Sequence, residues 1–122
     1  FNKNQKALYS MSLEQINHNS NLIKSDVSFR EFSEKSWKLP EEYYGNRYSV
    51  MVHGIGLCDE WPSIRYPSDG GDISGKFQKN MTITIESYIG KVGGKEGVKL
   101  EQQYLVGENG LELMSHHPLE DI

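Results

Sequence analysis

Two glutamates, Glu86 and Glu101, have carboxylates that could bind a cation or share a proton, and their spacing in the sequence could bring them together on neighbouring strands. If residues 82–88 and 98–106 form antiparallel strands that turn at the glycine pair 93–94, Glu86 lies opposite Glu101. Like charges directly opposite each other destabilise a sheet. A carboxylate pair beside otherwise apolar strand residues therefore predicts a bound cation or a shared proton between them. The alternative is a slightly different register, with both side chains in solvent.

His53 supplies an imidazole upstream of the two glutamates, and Gly54 and Gly56 follow it. Taken alone, a histidine in this setting is more often a buried side chain that is hydrogen-bonded to the backbone. The glycines let the backbone approach closely and leave room for a ligand beside the ring. Together with Glu86 and Glu101, His53 therefore predicts part of a divalent metal site.

Two acids and two aromatic residues lie near this glycine segment in the sequence. Asp59 and Glu60 follow the glycines, where a turn acid is more often solvated, although one of them would be close enough to project toward His53. Tyr48 and Trp61 flank the same region. They are either core aromatics, which is the usual role, or a face for a cationic substrate group.

The helices that position these residues are predicted from hydrophobic periodicity and capping signals. An amphipathic helix is expected over residues 5–23, where apolar residues recur with a loose helical period among polar ones. Ser28 and Glu31 have the spacing of a capping box and predict a second, shorter helix, which Pro40 ends.

Strands are expected at residues 48–53, where the chain alternates until the glycines, and at 111–114, after an Asn-Gly turn. Residues 43–47 and 58–77 are expected to be loops, the second because it has no periodicity and is rich in proline, glycine and serine. The segment Thr-Ile-Thr-Ile precedes Glu86, so Glu86 shares the threonine face of its strand and lies away from the isoleucines.

Length and composition narrow the class of protein. A chain of 122 residues is at most one domain. The net charge of -4, with no basic stripe and no phosphate-binding loop, argues against nucleic-acid and nucleotide partners. No apolar run is long enough to cross a membrane, and the single cysteine, Cys58, fits a reducing compartment such as the cytoplasm. Because Phe1 is neither an initiator methionine nor the start of a leader, we expect a piece of a longer polypeptide.

Three spaced motifs point to a known family. They are His-Gly-Ile-Gly-Leu at 53–57, Met-Thr-Ile-Thr-Ile-Glu at 81–86 and Gly-Val-Lys-Leu-Glu at 97–101, which Tyr-Leu-Val and an Asn-Gly turn follow. This order resembles the C-terminal half of the pita-bread metallopeptidases, the family that includes Xaa-Pro aminopeptidases, prolidases and creatinase. The resemblance spans about residues 28–115, and three motifs in order are a specific signal.

The resemblance implies an α/β (α+β) fold with a curved, mostly antiparallel sheet and flanking helices. It also implies a homodimer with a dinuclear centre, in which His53, Glu86 and Glu101 are ligands of two divalent metal ions. The family's remaining acidic ligands precede this region, and no segment here matches them. Residues 1–122 are therefore expected to be the C-terminal part of a single catalytic domain, inactive by itself. Iron is the metal implied by resemblance, although zinc, manganese and cobalt accept the same ligands.

One departure from the peptidase pattern concerns the reaction. The peptidases usually carry a second histidine shortly after the glycines, in a His-Glu-x-Pro-like context. Here the residues are Cys-Asp-Glu-Trp-Pro at 58–62, and with one residue deleted Asp59 takes the place of that histidine. A carboxylate stabilises an oxyanion poorly but is a good general base. The segment at 48–67 closely resembles the DddP-type dimethylsulfoniopropionate lyases, which share the fold but perform a β-elimination.

This second resemblance implies that dimethylsulfoniopropionate is the substrate and that Asp59 removes the proton. Tyr48 and Trp61 would face the sulfonium cation. Strict alternation puts Tyr48 on the strand face opposite to His53, so a bulge near the turn would be needed to bring both to one pocket. The alternatives are an Xaa-Pro aminopeptidase or prolidase of the same fold, and a non-catalytic binding module. Such modules typically lose their ligand residues, which are present here.

Overall fold

Residues 1–57 and 60–119 are those that the computed structural model describes. In this part of the chain, five strands form one open sheet in the order β2-β1-β3-β4-β5, and every neighbouring pair is antiparallel. The strands are β1 (Val52–Gly54), β2 (Ser63–Ile64), β3 (Thr82–Gly90), β4 (Gly97–Val106) and β5 (Leu111–Leu113). The helices are α1 (Lys3–Ser20), α2 (Phe29–Lys35) and α3 (Glu41–Tyr44), with a 3₁₀ turn at Pro67–Asp69. The predicted class, a mixed α/β fold with an antiparallel sheet, is confirmed.

The hairpin of β3 and β4 has the predicted register. Glu86 pairs directly with Glu101, and Tyr88 pairs with Lys99. The chain reverses through a turn in which Gly93 has a φ of 76°, a left-handed conformation that glycine adopts without steric cost. Because side chains alternate along a strand, Glu86 shares its face with Thr84 and lies opposite to the isoleucines, as predicted.

The isoleucine face of β3 packs against α1, which contacts both long strands. Ile83, Ile85 and Ile89 have no exposed surface. Burying a side chain of this size contributes roughly 1.5–3 kcal/mol relative to leaving it exposed. The helix therefore holds one face of the hairpin firmly, and the opposite face, which carries Glu86 and Glu101, is left for polar side chains.

Helix α1 begins earlier and ends earlier than predicted. Asn2 caps it by accepting a hydrogen bond from the Gln5 backbone at 2.8 Å, and the Gln5 side chain accepts one in return from the Asn2 backbone at 3.0 Å. This reciprocal pair is a capping box, which fixes the first turn. The side of α1 that faces the sheet is more polar than expected, since Ser12, Gln15 and Asn19 are fully buried.

Two of these buried polar side chains, Ser12 and Gln15, belong to a buried hydrogen-bonded chain between α1, β3 and the segment after β2. Ser12 Oγ donates to Ser87 Oγ at 2.9 Å, and Ser87 Oγ donates to Gln15 Oε1 at 2.6 Å. Gln15 Nε2 then donates to the Tyr66 hydroxyl at 2.7 Å. A buried polar network whose members are satisfied specifies one packing arrangement. Ser87 is the neighbour of Glu86, so this network helps to fix the strand that carries the glutamate.

Helix α2 is capped by Ser28 as predicted, and its Oγ accepts from the Glu31 backbone at 3.0 Å. The helix ends at Lys35, however, before Pro40 can end it. The reason is tertiary, because the Trp37 backbone N–H donates to the Asn19 side chain of α1 at 2.9 Å instead of continuing the helix. The predicted loop at 43–47 begins as the short helix α3.

The first strand is shorter than predicted, and the second was not predicted at all. The strand predicted at 48–53 is wrong over its first four residues, since β1 begins at Val52. The backbone of Arg47 donates to Tyr44 at 3.2 Å, so the chain is still turning out of α3 just before β1. The predicted loop at 58–77 contains β2, which pairs with β1. A strand of two residues has no periodicity for sequence analysis to detect.

Candidate metal centre

Three strands bring His53, Glu86 and Glu101 to one face of the sheet. His53 on β1 pairs with Thr84 on β3, two residues before Glu86, and Glu86 pairs with Glu101 on β4. Residues i and i+2 of a strand point to the same side, so the three side chains converge. Each offers one ligand atom, and these atoms all lie within 4.8 Å of one another. The structure thus brings together the three residues that the sequence nominated as ligands.

The imidazole of His53 lies against both carboxylates. His53 Nε2 is 2.9 Å from Glu86 Oε2 and 3.5 Å from Glu101 Oε1. The side chain of Glu86 is only 3% exposed, whereas that of Glu101 is 43% exposed. The cluster is therefore anchored in the sheet at Glu86 and opens toward solvent at Glu101.

The backbone of β1 fixes which nitrogen of His53 faces the glutamates. His53 Nδ1 lies 2.9 Å from the carbonyl oxygen of Gly54. A carbonyl oxygen only accepts hydrogen bonds, so Nδ1 carries the proton and donates it. Nε2 of the neutral ring then presents a lone pair to two carboxylates. A histidine that donates through one nitrogen to a backbone carbonyl, with the other nitrogen turned inward, is oriented as a metal ligand.

The pKa of His53 is set by its burial and by the acidic and carbonyl groups around its ring. Burial lowers the pKa of its imidazole, but the hydrogen bond to Gly54 and the charges of Glu86 and Glu60 raise it, and the net pKa lies above the ordinary value. A cation between the ring and the carboxylates is therefore favoured. Without a metal, the same neighbours favour the protonated form of the ring.

Glu86 carries one of two buried side-chain atoms that lack a hydrogen-bond partner within the described residues, and the other, Asn19 Nδ2, lies on α1. Glu86 Oε1 is buried and makes no hydrogen bond within the described part of the chain. Burial and the charge of Glu101 raise the pKa of this carboxyl, although Lys99 and His53 act against them. An unsatisfied buried oxygen in a native fold calls for an explanation such as an ion. With a neutral imidazole nitrogen and two carboxylates around it, the donor set fits a divalent metal of the zinc or iron type.

Gly54 lets the following loop fold back over β1. Its backbone N–H donates to the Pro62 carbonyl at 2.8 Å and to the Glu60 carbonyl at 3.0 Å. A Cβ at this position would lie 1.8 Å from the carbonyl oxygen of Trp61, which no side chain tolerates. The glycine after His53 is therefore needed to bring residues 60–62 beside the cluster, a close approach of the kind that the sequence predicted.

Lys99 is a site residue that the sequence analysis missed. Its Nζ is 3.7 Å from Glu86 Oε1 and 3.8 Å from Glu101 Oε2, and it lies 4.2 Å from the ring centroid of Tyr48. Burial lowers the pKa of Lys99, but Glu86, Tyr48 and Glu101 raise it, with a net increase. Strand alternation was the signal that would have found it, because Lys99 stands two residues before Glu101 on the same face.

The other nominated residues are distributed as follows. Tyr48 reaches the cluster through Lys99 without a bulge, because it precedes β1 and strand alternation does not apply to it. Trp61 is 53% exposed, and its ring meets Phe29 edge-on at 5.7 Å between centroids. Glu60 is exposed and close enough to act on the pKa of His53. Asp59 lies outside the described residues, so its predicted role stays a prediction.

The fold and the cluster define the class of protein. An open antiparallel sheet that carries one histidine and two glutamates on its polar face is the arrangement of the pita-bread metalloenzymes, which is the class predicted from the three motifs. The model of Metallopeptidase family M24 matches residues 1–108, and the chain belongs to that family. Within the described residues, no helix is both long and apolar enough to span a membrane.

Two relatives by sequence carry the name of a lyase. The chain is 36% identical over 109 residues to the dimethylsulfoniopropionate lyase DddP of Roseovarius nubinhibens, covering 88% of this chain and 24% of that protein. It is 32% identical over 117 residues to the DddP of Roseobacter denitrificans, covering 93% and 26%. The chain thus spans about a quarter of the length of the curated relatives it matches.

Relatives by structure carry the names of peptidases. The prolidase of Pyrococcus furiosus superposes with a TM-score of 0.78 at 24% identity, over 96% of this chain and 34% of that one. The X-Pro aminopeptidase of Thermotoga maritima gives a TM-score of 0.75 at 23% identity, over 98% and 33%. At these identities the likeness shows the fold alone, which is that of the pita-bread enzymes.

Proposed function

We propose that the protein to which this chain belongs is a metal-dependent lyase that cleaves dimethylsulfoniopropionate to dimethyl sulfide and acrylate. The observation that carries the proposal is the cluster of His53, Glu86 and Glu101, in which a buried oxygen of Glu86 lacks a hydrogen-bond partner. The identity of 36% to a relative named as a DddP lyase supports this reaction over others of the family. In this proposal the chain is the C-terminal part of a single catalytic domain.

The three residues would hold part of a centre of two divalent ions, with iron as the proposed metal. When bound, such ions polarise the substrate carboxylate and make the adjacent carbon more acidic. Glu86 provides a buried, negatively charged anchor, and Glu101 reaches toward solvent from the neighbouring strand. His53 is kept in the required tautomer by the Gly54 carbonyl. The remaining ligands would come from the preceding part of the protein.

Asp59 is the proposed general base. Its carboxylate would take a proton from the carbon next to the substrate carboxylate. The electron pair left behind forms the new carbon–carbon double bond, and the carbon–sulfur bond breaks with its pair leaving on neutral dimethyl sulfide. The products are acrylate and a protonated Asp59, so charge and atoms balance. A carboxylate is suited to this step because it accepts a proton at neutral pH.

Tyr48 and Trp61 are the proposed contacts of the sulfonium group, since an aromatic ring attracts a cation through its quadrupole. Tyr48 is the better supported of the two, because a cationic group already lies over its ring at 4.2 Å.

The proposal includes a cytoplasmic location, consistent with a single cysteine in the sequence, and a homodimer, as the family resemblance implies.

The test is the release of dimethyl sulfide by the whole protein after loading with ferrous iron. Headspace gas chromatography should detect dimethyl sulfide from the wild type and almost none from Asp59→Asn. Asp72→Asn is the matched control, because Asp72 is an exposed loop residue that accepts hydrogen bonds from Ser74. Loss of activity in both variants would argue against Asp59 as the base. No sulfide from iron-loaded wild type would end the lyase proposal.

A peptidase is the second candidate, because the family is one of metallopeptidases and the matched structures are a prolidase and an aminopeptidase. The same iron-loaded protein, given dipeptides with proline in the second position, should release no proline if the lyase proposal holds. Proline release without dimethyl sulfide would favour the peptidase. A protein that binds no metal and acts on neither substrate would fit a non-catalytic binding module.

A further inference from the structure

Tyr48 lies in a segment that the sheet does not hold. Within the described residues, the backbone of residues 48–50 makes no hydrogen bond to other backbone groups. The chain is held again at Met51, whose backbone N–H donates to the Ile64 carbonyl at 2.8 Å. Tyr48 itself is 40% exposed, and its ring contacts the Lys99 ammonium. The position of the ring therefore depends on how the chain is held just before Tyr48.

Arg47, the residue before Tyr48, is held by several contacts at once. Its Nε and Nη2 donate to the two carboxylate oxygens of Asp69 at 2.8 and 2.5 Å. Its Nη1 donates to the Tyr44 carbonyl at 2.8 Å, and its guanidinium carbon lies 4.2 Å from the centre of the Tyr44 ring. A bidentate arginine–carboxylate pair fixes orientation as well as distance.

Asp69 is itself fixed by the 3₁₀ turn that it ends. Its backbone N–H donates to the Tyr66 carbonyl at 2.9 Å. Tyr66 is 4% exposed, and its hydroxyl accepts a hydrogen bond from Gln15 of α1 at 2.7 Å. The turn is thus attached to the buried polar network of α1, and Asp69 offers Arg47 a carboxylate of fixed position.

The pair of Arg47 and Asp69 is also shielded from solvent. The two side chains are 26% and 23% exposed. Of the lysine and arginine ion pairs between described residues, this is the one in which both side chains are less than a third exposed. Exposed ion pairs are weak because water and salt screen them, whereas a shielded bidentate pair keeps its geometry.

We propose that Arg47 and Asp69 are positioning residues, a pair that holds Tyr48 beside the candidate metal centre. They act through the peptide bond that joins Arg47 to Tyr48. The inference rests on the proposed function, in which Tyr48 contacts the sulfonium group, and it adds what keeps the ring in place before substrate binds. Without the pair, Tyr48 occupies more than one position and contributes less to substrate binding.

The first test observes Tyr48 by NMR in the whole protein, deuterated and labelled with ¹³Cε-tyrosine, with Tyr48→Phe to assign the signal. Arg47→Lys keeps the charge but loses the two-point contact, and Asp69→Asn loses the partner charge. In both variants the Tyr48 signal should broaden or move toward that of free tyrosine. An unmoved signal in either folded variant would overturn the proposal.

A destabilising control separates loss of position from loss of stability. Ser28 caps α2 by accepting from the Glu31 backbone at 3.0 Å, so Ser28→Ala should lower the thermal unfolding temperature. It should leave the Tyr48 signal where it is in the wild type. If Ser28→Ala moved that signal as far as Arg47→Lys does, the pair would have no specific hold on Tyr48 and the proposal would fail.

The second test measures dimethyl sulfide release by the iron-loaded whole protein over a range of substrate concentrations. Loss of a contact that binds substrate and transition state equally raises KM and leaves kcat unchanged. KM should rise about tenfold in Arg47→Lys, the size expected for one cation–π contact. Arg30→Lys, at an exposed position on α2, should behave as the wild type.

The two tests fail separately. An unchanged KM in Arg47→Lys, with an active wild type, would contradict the positioning role and leave the lyase proposal intact. A wild type that releases no sulfide would overturn the lyase proposal alone, because the NMR signal reports the position of Tyr48 without substrate.

Discussion

Glu86 and Glu101 are direct cross-strand partners whose carboxylates meet a histidine on one side and a lysine on the other. Directly paired like charges destabilise a sheet, and one of these two is almost completely buried. The pair persists in the fold because His53 and Lys99 supply compensating positive charge. The same geometry gives the site its capacity for a divalent ion, which would satisfy both carboxylates more fully than either side chain does.

Glu86→Gln is expected to stabilise the metal-free protein while it abolishes tight metal binding. Burial and Glu101 raise the pKa of Glu86 above its ordinary 4.5. The folded protein therefore binds more protons at this group than the unfolded chain does between pH 4.5 and the raised pKa. The free energy of unfolding decreases as pH rises through that interval. At neutral pH the neutral amide should therefore gain about 1–3 kcal/mol in the free energy of unfolding. Denaturant titrations of the wild type and of Glu86→Gln, without metal and at several pH values, measure this difference in the free energy of unfolding.

The control for that experiment is Glu112→Gln, which changes an exposed glutamate on β5. It should leave the free energy of unfolding unchanged, because its side chain is exposed. If Glu86→Gln were less stable than the wild type without metal, the carboxylate would be a favourable part of the fold rather than a strained ligand.

His53→Gln should weaken zinc binding by about 100-fold or more, because it removes a ligand and the contact that orients it. The measurement is calorimetric titration of the whole protein with zinc. His18→Gln provides the comparison, since His18 lies on α1, where its Nε2 contacts the Lys35 carbonyl at 2.9 Å. Equal affinity of the His53 variant and the wild type would exclude His53 as a ligand.

Metal binding is expected to release protons. The pKa of His53 in the metal-free protein is raised above 6.5, so its ring is partly protonated near neutral pH and must lose that proton to bind a metal. Zinc affinity should therefore increase with pH and level off above the raised pKa. Calorimetry in two buffers with different ionisation enthalpies counts the protons. A count of zero at pH 6.5 would mean that the ring does not hold a proton beside Glu86.

Gly54→Ala should destabilise the protein by about 3 kcal/mol, because its new methyl group would overlap the Trp61 carbonyl and force the loop away from β1. Thermal unfolding followed by circular dichroism measures the loss. Gly45→Ala is the comparison, since there the methyl group meets only the side chain of exposed Val92, which can move. Similar losses in both variants would show that the close approach at Gly54 is not decisive.

Much of the site was predictable from local sequence. The register of Glu86 against Glu101 followed from two alternating segments joined by a short glycine turn, and a hairpin is a local structure whose pairing its own residues specify. The Ser28 cap of α2 was predictable for the same reason, since its hydrogen bond spans three residues. The convergence of His53 with the glutamates was predicted from their residue types together with the family resemblance.

Contacts between distant segments decided what local sequence could not. The end of α2 depends on Asn19, eighteen residues before Trp37, and β2 exists only because β1 pairs with it. The contact of Lys99 with Tyr48 joins a residue on β4 to one that precedes β1, so neither periodicity nor spacing indicates it. Sequence alone determined the hairpin and the acidic pair, because local hydrogen bonding and alternation specify them. Tertiary structure decided which cation each carboxylate oxygen faces, because that depends on side chains brought together by packing.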